Sequence, residues 1–187
     1  RATVHRDVYL DYIGVKQFTD DGGVAGEARF LGLFTSSAYV QPVDEVPVLA
    51  GKVAEVMEQS GFSADSHSGK DLMEFLETYP RDELFQIDAD ALETTASSVL
   101  QMAGRQVTRV FLRPDRYGRF ISAMVYLPRD RYNSDVRKSV ENLLRTSLGA
   151  FSIDTASRVG EHTHAHLCSR CGRDNSHHGL SLAFEAE

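Results

Sequence analysis

Both cysteines of the chain and five of its seven histidines fall in one stretch, HTHAHLCSRCGRDNSHH at 162–178. Cys168 and Cys171 have the C-x-x-C spacing that lets two thiolates share one tetrahedral zinc ion, with His177 or His178 following as nitrogen ligands. His162, His164 and His166 alternate, so on a strand they would project to a single face. A redox dithiol of this spacing usually opens a helix, whereas CSRCGRDN reads as a loop. A lone C-x-x-C pair is only part of a zinc signature. Zinc is therefore the one metal these residues suggest, set against an irregular tail that holds none.

A second stretch, FLRPDRYGRFISAMVYLPRDRY at 111–132, sets five arginines and three tyrosines around two apolar runs. Arg116-Tyr117-Gly118-Arg119-Phe120-Ile121 is similar to the basic-Gly-aromatic signature with which RNA-recognition motifs stack bases. That signature wants a further aromatic ring where Ala123 stands, and a formal net charge of -7 opposes a general polyanion binder. Arg113, Arg116, Tyr117, Arg119, Arg129 and Arg131 are accordingly read as the polar rim of a hairpin that meets neighbouring protein, not nucleic acid. Other signals are bland. Glu74, Glu77, Asp82 and Glu83 read as solvated or arginine-paired carboxylates. The glycines of DDGGVAGEARFLG belong to a hairpin and offer no phosphate cradle. His5 and His67 have no nucleophile beside them. No acid, base and nucleophile converge, so no catalytic residue is assigned.

The elements that must position these groups are legible from periodicity. With 187 residues, 42% hydrophobic and 25% charged, the chain has ordinary globular composition and needs no disulfide framework. Two cysteines make a reducing cytoplasm the default, and no apolar run approaches the roughly 18 residues of a membrane span. The absence of an initiator Met suggests a piece of a longer protein. VYLDYIGVKQF and VAGEARFLGLF flank a Gly/Asp cluster and predict a hairpin. Leu49, Val53, Val56 and Met57 predict a helix ending at Gly61; Leu72, Phe75, Leu76 and Tyr79 predict another, capped by Ser68. ELFQI (83–87) is a strand candidate, followed by a helix opened by Asp90 and Glu93. QVTRVFLR and RFISAMVYL are strands joined by PDRYG; NSDVRKSVENLLRTSLG is a helix and AFSIDTASRV a closing strand. The order β-α-β-β-α-β is the split βαβ, or ferredoxin-like, arrangement. The first half repeats part of it, with Tyr39 matching Tyr132.

VHRDVYLDYIGVKQF, GEARFLGLFTSSAY, LETYPRDELFQID and RVFLRPDRYGRFISAMVYLPRDRYN resemble the N-terminal region of the large bacterial NAD-specific glutamate dehydrogenases, a likeness running from Val4 to about Arg158. The resemblance implies ACT-like regulatory modules ahead of a catalytic domain, in a homo-oligomer that converts L-glutamate to 2-oxoglutarate with NAD. The family's catalytic lysine and aspartate and its NAD-binding fold lie in later sequence, so this segment carries no cofactor-binding residue. ACT modules often bind amino acids at a glycine-bearing turn, but Gln86-Ile87-Asp88-Ala89-Asp90 has no glycine. The likeness fades through TASRVGEHTHAHL and is gone in CSRCGRDNSHHGLSLAFEAE. The expectation is an α+β chain of tandem ACT-like modules, each an antiparallel sheet with helices on one face. Residues 1–80 form an incomplete module, 81–160 a βαββαβ module, and 161–187 a His/Cys tail with a candidate terminal strand. The expected role is noncatalytic: contacts with neighbouring domains and subunits of the parent enzyme, the alternatives being an amino-acid sensor or an RNA binder.

Overall fold

The Gly/Asp turn at Thr19–Gly23 closes β1 (Asp11–Phe18) onto β2 (Val24–Gly32) as an antiparallel hairpin, with Gly22 supplying the left-handed conformation at φ 83°. In the computed structural model, which describes residues 10–159 and 164–172, this hairpin is a two-stranded sheet of its own. A one-turn helix, α1 (Ser37–Val40), leads from it into four helices: α2 (Pro47–Ser60), α3 (His67–Thr78), α4 (Arg81–Gln86) and α5 (Ala89–Leu100). Their ends follow local chemistry. Pro47 opens α2 and left-handed Gly61 closes it; Ser66 caps α3 by accepting from the Gly69 amide, and Asp88 caps α5 by accepting from Ala91. Leu49, Val53 and Val56 pack with Leu72, Phe75 and Leu76, and with Leu84, Leu92 and Ala96, so the helices on either side of residue 80 share one core.

Beyond them lies a four-stranded sheet of β3 (Arg109–Pro114), β4 (Phe120–Pro128), β5 (Ser152–Arg158) and β6 (His164–Gly172), with α6 (Ser134–Leu148) between β4 and β5. The strand order is β3-β4-β6-β5 and every neighbouring pair is antiparallel. Asn133 caps α6 through the Asp135 and Val136 amides, and left-handed Gly149 ends it. Every residue of β4 is buried, because alternate side chains enter different cores. Met124 and Tyr126, with Cys168 of β6, face the helices α2–α5. Ala123, Val125 and Leu127, with Leu167 and Cys171 of β6, face α6.

The α+β class with antiparallel sheets stands, as do the first hairpin, β3, β4, β5 and the glycine ends of α2 and α6. Four expectations are corrected. The stretch 83–87 is not a strand but most of α4: Pro80 precedes the helix, Asp82 and Glu83 favour its positive end, and Leu84 enters the helical core. The interior place left by that strand, between β4 and β5, is taken by β6. Cys168 and Cys171 therefore lie on a regular strand, where the sequence suggested a loop. Helices also cover both faces of the sheet, not one, because α2–α5 pack on the face opposite α6. The α3 and α5 caps fall at Ser66 and Asp88, not at Ser68 and Asp90.

Candidate functional site

The helical layer meets the sheet over Arg113 of β3, Ser122 of β4 and Arg170 of β6, three residues in adjacent register whose side chains share one face. Glu83 of α4 descends onto this row and is only 1% exposed. Its Oε2 accepts from Arg113 Nη2 at 2.7 Å and Nε at 3.2 Å, and its Oε1 accepts from Arg170 Nε at 3.4 Å. Arg170 also reaches Asp82 Oδ2 at 3.3 Å and lies over the Phe120 ring. Asp82 in turn accepts from the Tyr39 hydroxyl at 2.7 Å. The far end of α4 is fixed by Lys52, whose Nζ donates to the carbonyls of Leu84, at 2.6 Å, and of Ile87. Burial pulls the Lys52 ammonium below its usual pKa. A helix of six residues is thus held at its acidic end by two sheet arginines and at its carbonyl end by a lysine of α2.

Beside this cluster a cleft of about 220 Å³ opens between the Pro80 corner and β5–β6, lined by Tyr39, Arg81, Arg158, His166 and Cys168 among others. Burial, reinforced by Arg158, lowers His166 to a pKa of about 4, so its ring is neutral at physiological pH. Burial, with Glu83 nearby, raises the Cys168 thiol to about 12. The Cys171 thiol is also raised by burial. Neither sulfur is a poised thiolate.

The zinc expectation meets strand parity. Cys168 and Cys171 are three residues apart on β6, so one thiol enters the core under α2–α5 and the other the core under α6. Two sulfurs on opposite faces of a sheet cannot chelate one ion. His177 and His178 lie outside the described residues, and among the described residues no three His, Cys, Asp or Glu side chains are grouped to hold a metal. Of the six rim residues, Arg116, Tyr117, Arg129 and Arg131 are exposed. Arg113 instead turns inward to Glu83, and Arg119 pairs with Asp115 inside its own turn, at 2.8 and 2.9 Å. Burial alone would raise the Asp115 carboxyl, but Arg119 outweighs it and holds it below its usual pKa. Phe120, the ring an RNA reader would present, is 1% exposed, and β4 has no open face on which bases could stack. Sequence reasoning missed Arg170 and Lys52, and it named Tyr39 and His166 without assigning either to this site. The strand periodicity of His166, Cys168 and Arg170 was the available signal for the β6 residues.

The helices and the sheet match two family models that bear one family's name. Residues 46–105 match "Glutamate dehydrogenase, helical motif 1" and residues 109–183 match "Glutamate dehydrogenase, ACT2 domain". The chain belongs to the NAD-specific glutamate dehydrogenase family. It is 45% identical over 149 residues to the NAD-specific glutamate dehydrogenase of Pseudomonas aeruginosa, 43% to that of Halomonas elongata and 36% to that of Mycobacterium tuberculosis. Each match covers 80% of this chain and 9% of the relative. In glutamate dehydrogenase terms, Glu83 and Asp82 belong to the helical motif, while Arg113 and Arg170 belong to the ACT2 domain. The buried charge cluster is the joint between the two.

Proposed function

We propose that this segment is a noncatalytic scaffold of an NAD-specific glutamate dehydrogenase that converts L-glutamate and NAD to 2-oxoglutarate, ammonia and NADH. The helical motif and the ACT2 sheet act as one rigid unit that sets contacts among neighbouring domains and subunits of a cytoplasmic homo-oligomer. The observation that carries this reading is the Glu83–Arg113–Arg170 joint: its charges satisfy one another across the layer boundary instead of facing a substrate. No helix among the described residues is long and apolar enough to cross a membrane. NAD belongs to the parent enzyme and not to this unit. The exposed residues Arg116, Tyr117, Arg129 and Arg131 are proposed interface positions.

The test compares the full-length enzyme with its Glu83→Gln variant. A scaffold role predicts altered assembly or an altered substrate dependence with the chemical step intact. Turnover of glutamate and NAD by this segment alone, at a rate near that of the intact enzyme, would overturn the reading.

A second reading, an amino-acid effector, is favoured by the cleft at Arg81, Arg158 and His166. The volume suits a small carboxylate, and Arg158 supplies an exposed guanidinium at its mouth. A saturable rise in Tm with free amino acids, lost in Arg158→Ala, would support it. A Tm indifferent to millimolar amino acids would dismiss it.

A further inference from the structure

A second cleft, of about 360 Å³, opens where the start of β1, the carbonyl end of α4 and the β3–β4 turn meet. Its lining sets Tyr12, Phe34, Phe85 and Tyr117 beside Gln86 and Arg116. Phe34 and Phe85 are stacked, 4.1 Å between centroids and 11° from parallel, so one wall is a flat aromatic surface. The Tyr12 side chain is hydrogen-bonded to Glu27, which holds its ring in place.

The β3–β4 turn keeps its shape without the side chains of Arg116 and Tyr117. Asp115 Oδ2 accepts from the amides of Tyr117 and Arg119, at 3.1 and 3.2 Å, and Gly118 takes the left-handed conformation at φ 69°. The Asp115 charge is answered by Arg119, whose guanidinium also lies 5.4 Å over the Tyr117 ring. That leaves the other face of the ring open, and Tyr117 is 62% exposed. The exposed Arg116 side chain has no partner among the described residues. Gln86 Oε1 accepts from Arg113 Nη2 at 3.3 Å, so its Nε2 remains as a donor.

We propose that this cleft binds a purine nucleoside monophosphate. Flat aromatic walls select a planar π system, which stacks without regard to its exact identity. A free guanidinium matches phosphate through its forked donors, and one such group suits one phosphate. The Gln86 amide donates to an acceptor on the edge of the base. The volume lies near the lower end of the range for small-molecule sites, which suits a mononucleotide. A single base in a cleft needs no open sheet face, so the closed β4 that rules out an RNA reader does not oppose it. The site goes beyond the scaffold reading and bears on it. Gln86 belongs to the helical motif and Arg116 to the ACT2 domain, and Gln86 shares Arg113 with Glu83. An occupant therefore bridges the same two parts as the buried joint.

Calorimetric titration of this chain with AMP tests the proposal; an NAD site in the parent enzyme would take the same probe, so the chain is used by itself. The expected result is saturable binding of one AMP per chain, with adenosine weaker and inorganic phosphate weaker still. Arg116→Ala should weaken AMP by about tenfold and leave adenosine unchanged, while Arg116→Lys recovers part of the loss. Tyr117→Ala should weaken AMP and adenosine alike, by about fivefold or more. Arg129→Ala, an exposed arginine outside the cleft, should change neither. An unchanged Tm without ligand shows that the variants fold. Hydrogen exchange in the presence of AMP should slow at residues 12–14, 85–86 and 116–119. No saturation with millimolar AMP or GMP, phosphate bound as tightly as AMP, an equal loss in Arg129→Ala, or protection confined to other segments would overturn it. The scaffold reading falls separately, on the kinetics of Glu83→Gln.

Discussion

Glu83 and Arg113 are thirty residues apart in sequence and 2.7 Å apart in space, the first on a short helix and the second on an edge strand. The carboxylate is almost fully buried, so the pair exchanges hydration for mutual attraction and for the second arginine, Arg170. Such clusters seldom add much net stability over apolar packing, but they penalise any arrangement that separates the partners. That makes the joint a device for fixing the geometry between helical motif and ACT2 sheet.

Glu83→Ala should therefore cost about 3–5 kcal/mol, because two guanidinium groups lose their carboxylate between the layers. Combining Glu83→Leu with Arg113→Met should recover much of that loss. Urea unfolding of the three proteins checks both. A Glu83→Ala variant as stable as the parent would show that solvent reaches the joint.

Acid should weaken the fold through His166. The unfolded chain protonates this ring near pH 6.5 and the native state near pH 4, so between those values the unfolded state holds more protons. Stability then falls as the pH is lowered through that window, by at most about 3 kcal/mol and by less where solvent screens the ring. His166→Gln should flatten this part of the profile, measured by denaturation at pH 7.5 and 5.

Both thiols should resist iodoacetamide at pH 8 in the native state and react promptly in urea, since both are buried and held above their usual pKa. Mass spectrometry after timed quenching reads the two sites separately. Fast native labelling of Cys168 would contradict its place under the helices.

Gly69→Ala should destabilise the first turn of α3. A Cβ there would collide with the Ser63 carbonyl, which is backbone and cannot swing aside. The expected cost is about 1–3 kcal/mol. Ser66→Ala, which removes only the cap, should cost about 1 kcal/mol, and thermal unfolding separates the two.

Local chemistry made much of this chain readable in advance. Runs of β-branched and aromatic residues about Gly/Asp and Pro/Asp/Gly turns marked the Asp11–Gly32 hairpin, β3 and β4, and helical spacing with terminal glycines marked α2 and α6, because these signals act within a few residues. The sequence blocks also carried the family, since 36–45% identity leaves long runs intact. Packing decided the rest. Leu84, Phe85 and Ile87 suit a strand by propensity, but Leu84 and Ile87 enter a helical core that only α2, α3 and α5 together create. Cys168 and Cys171 looked like a chelating pair until pairing with β4 and β5 sent them to opposite faces. Arg113 looked like a rim residue because nothing near it in sequence predicts a buried carboxylate thirty positions away. Residue identity set what each group could bind, and the long-range pairing of strands and layers set which groups met.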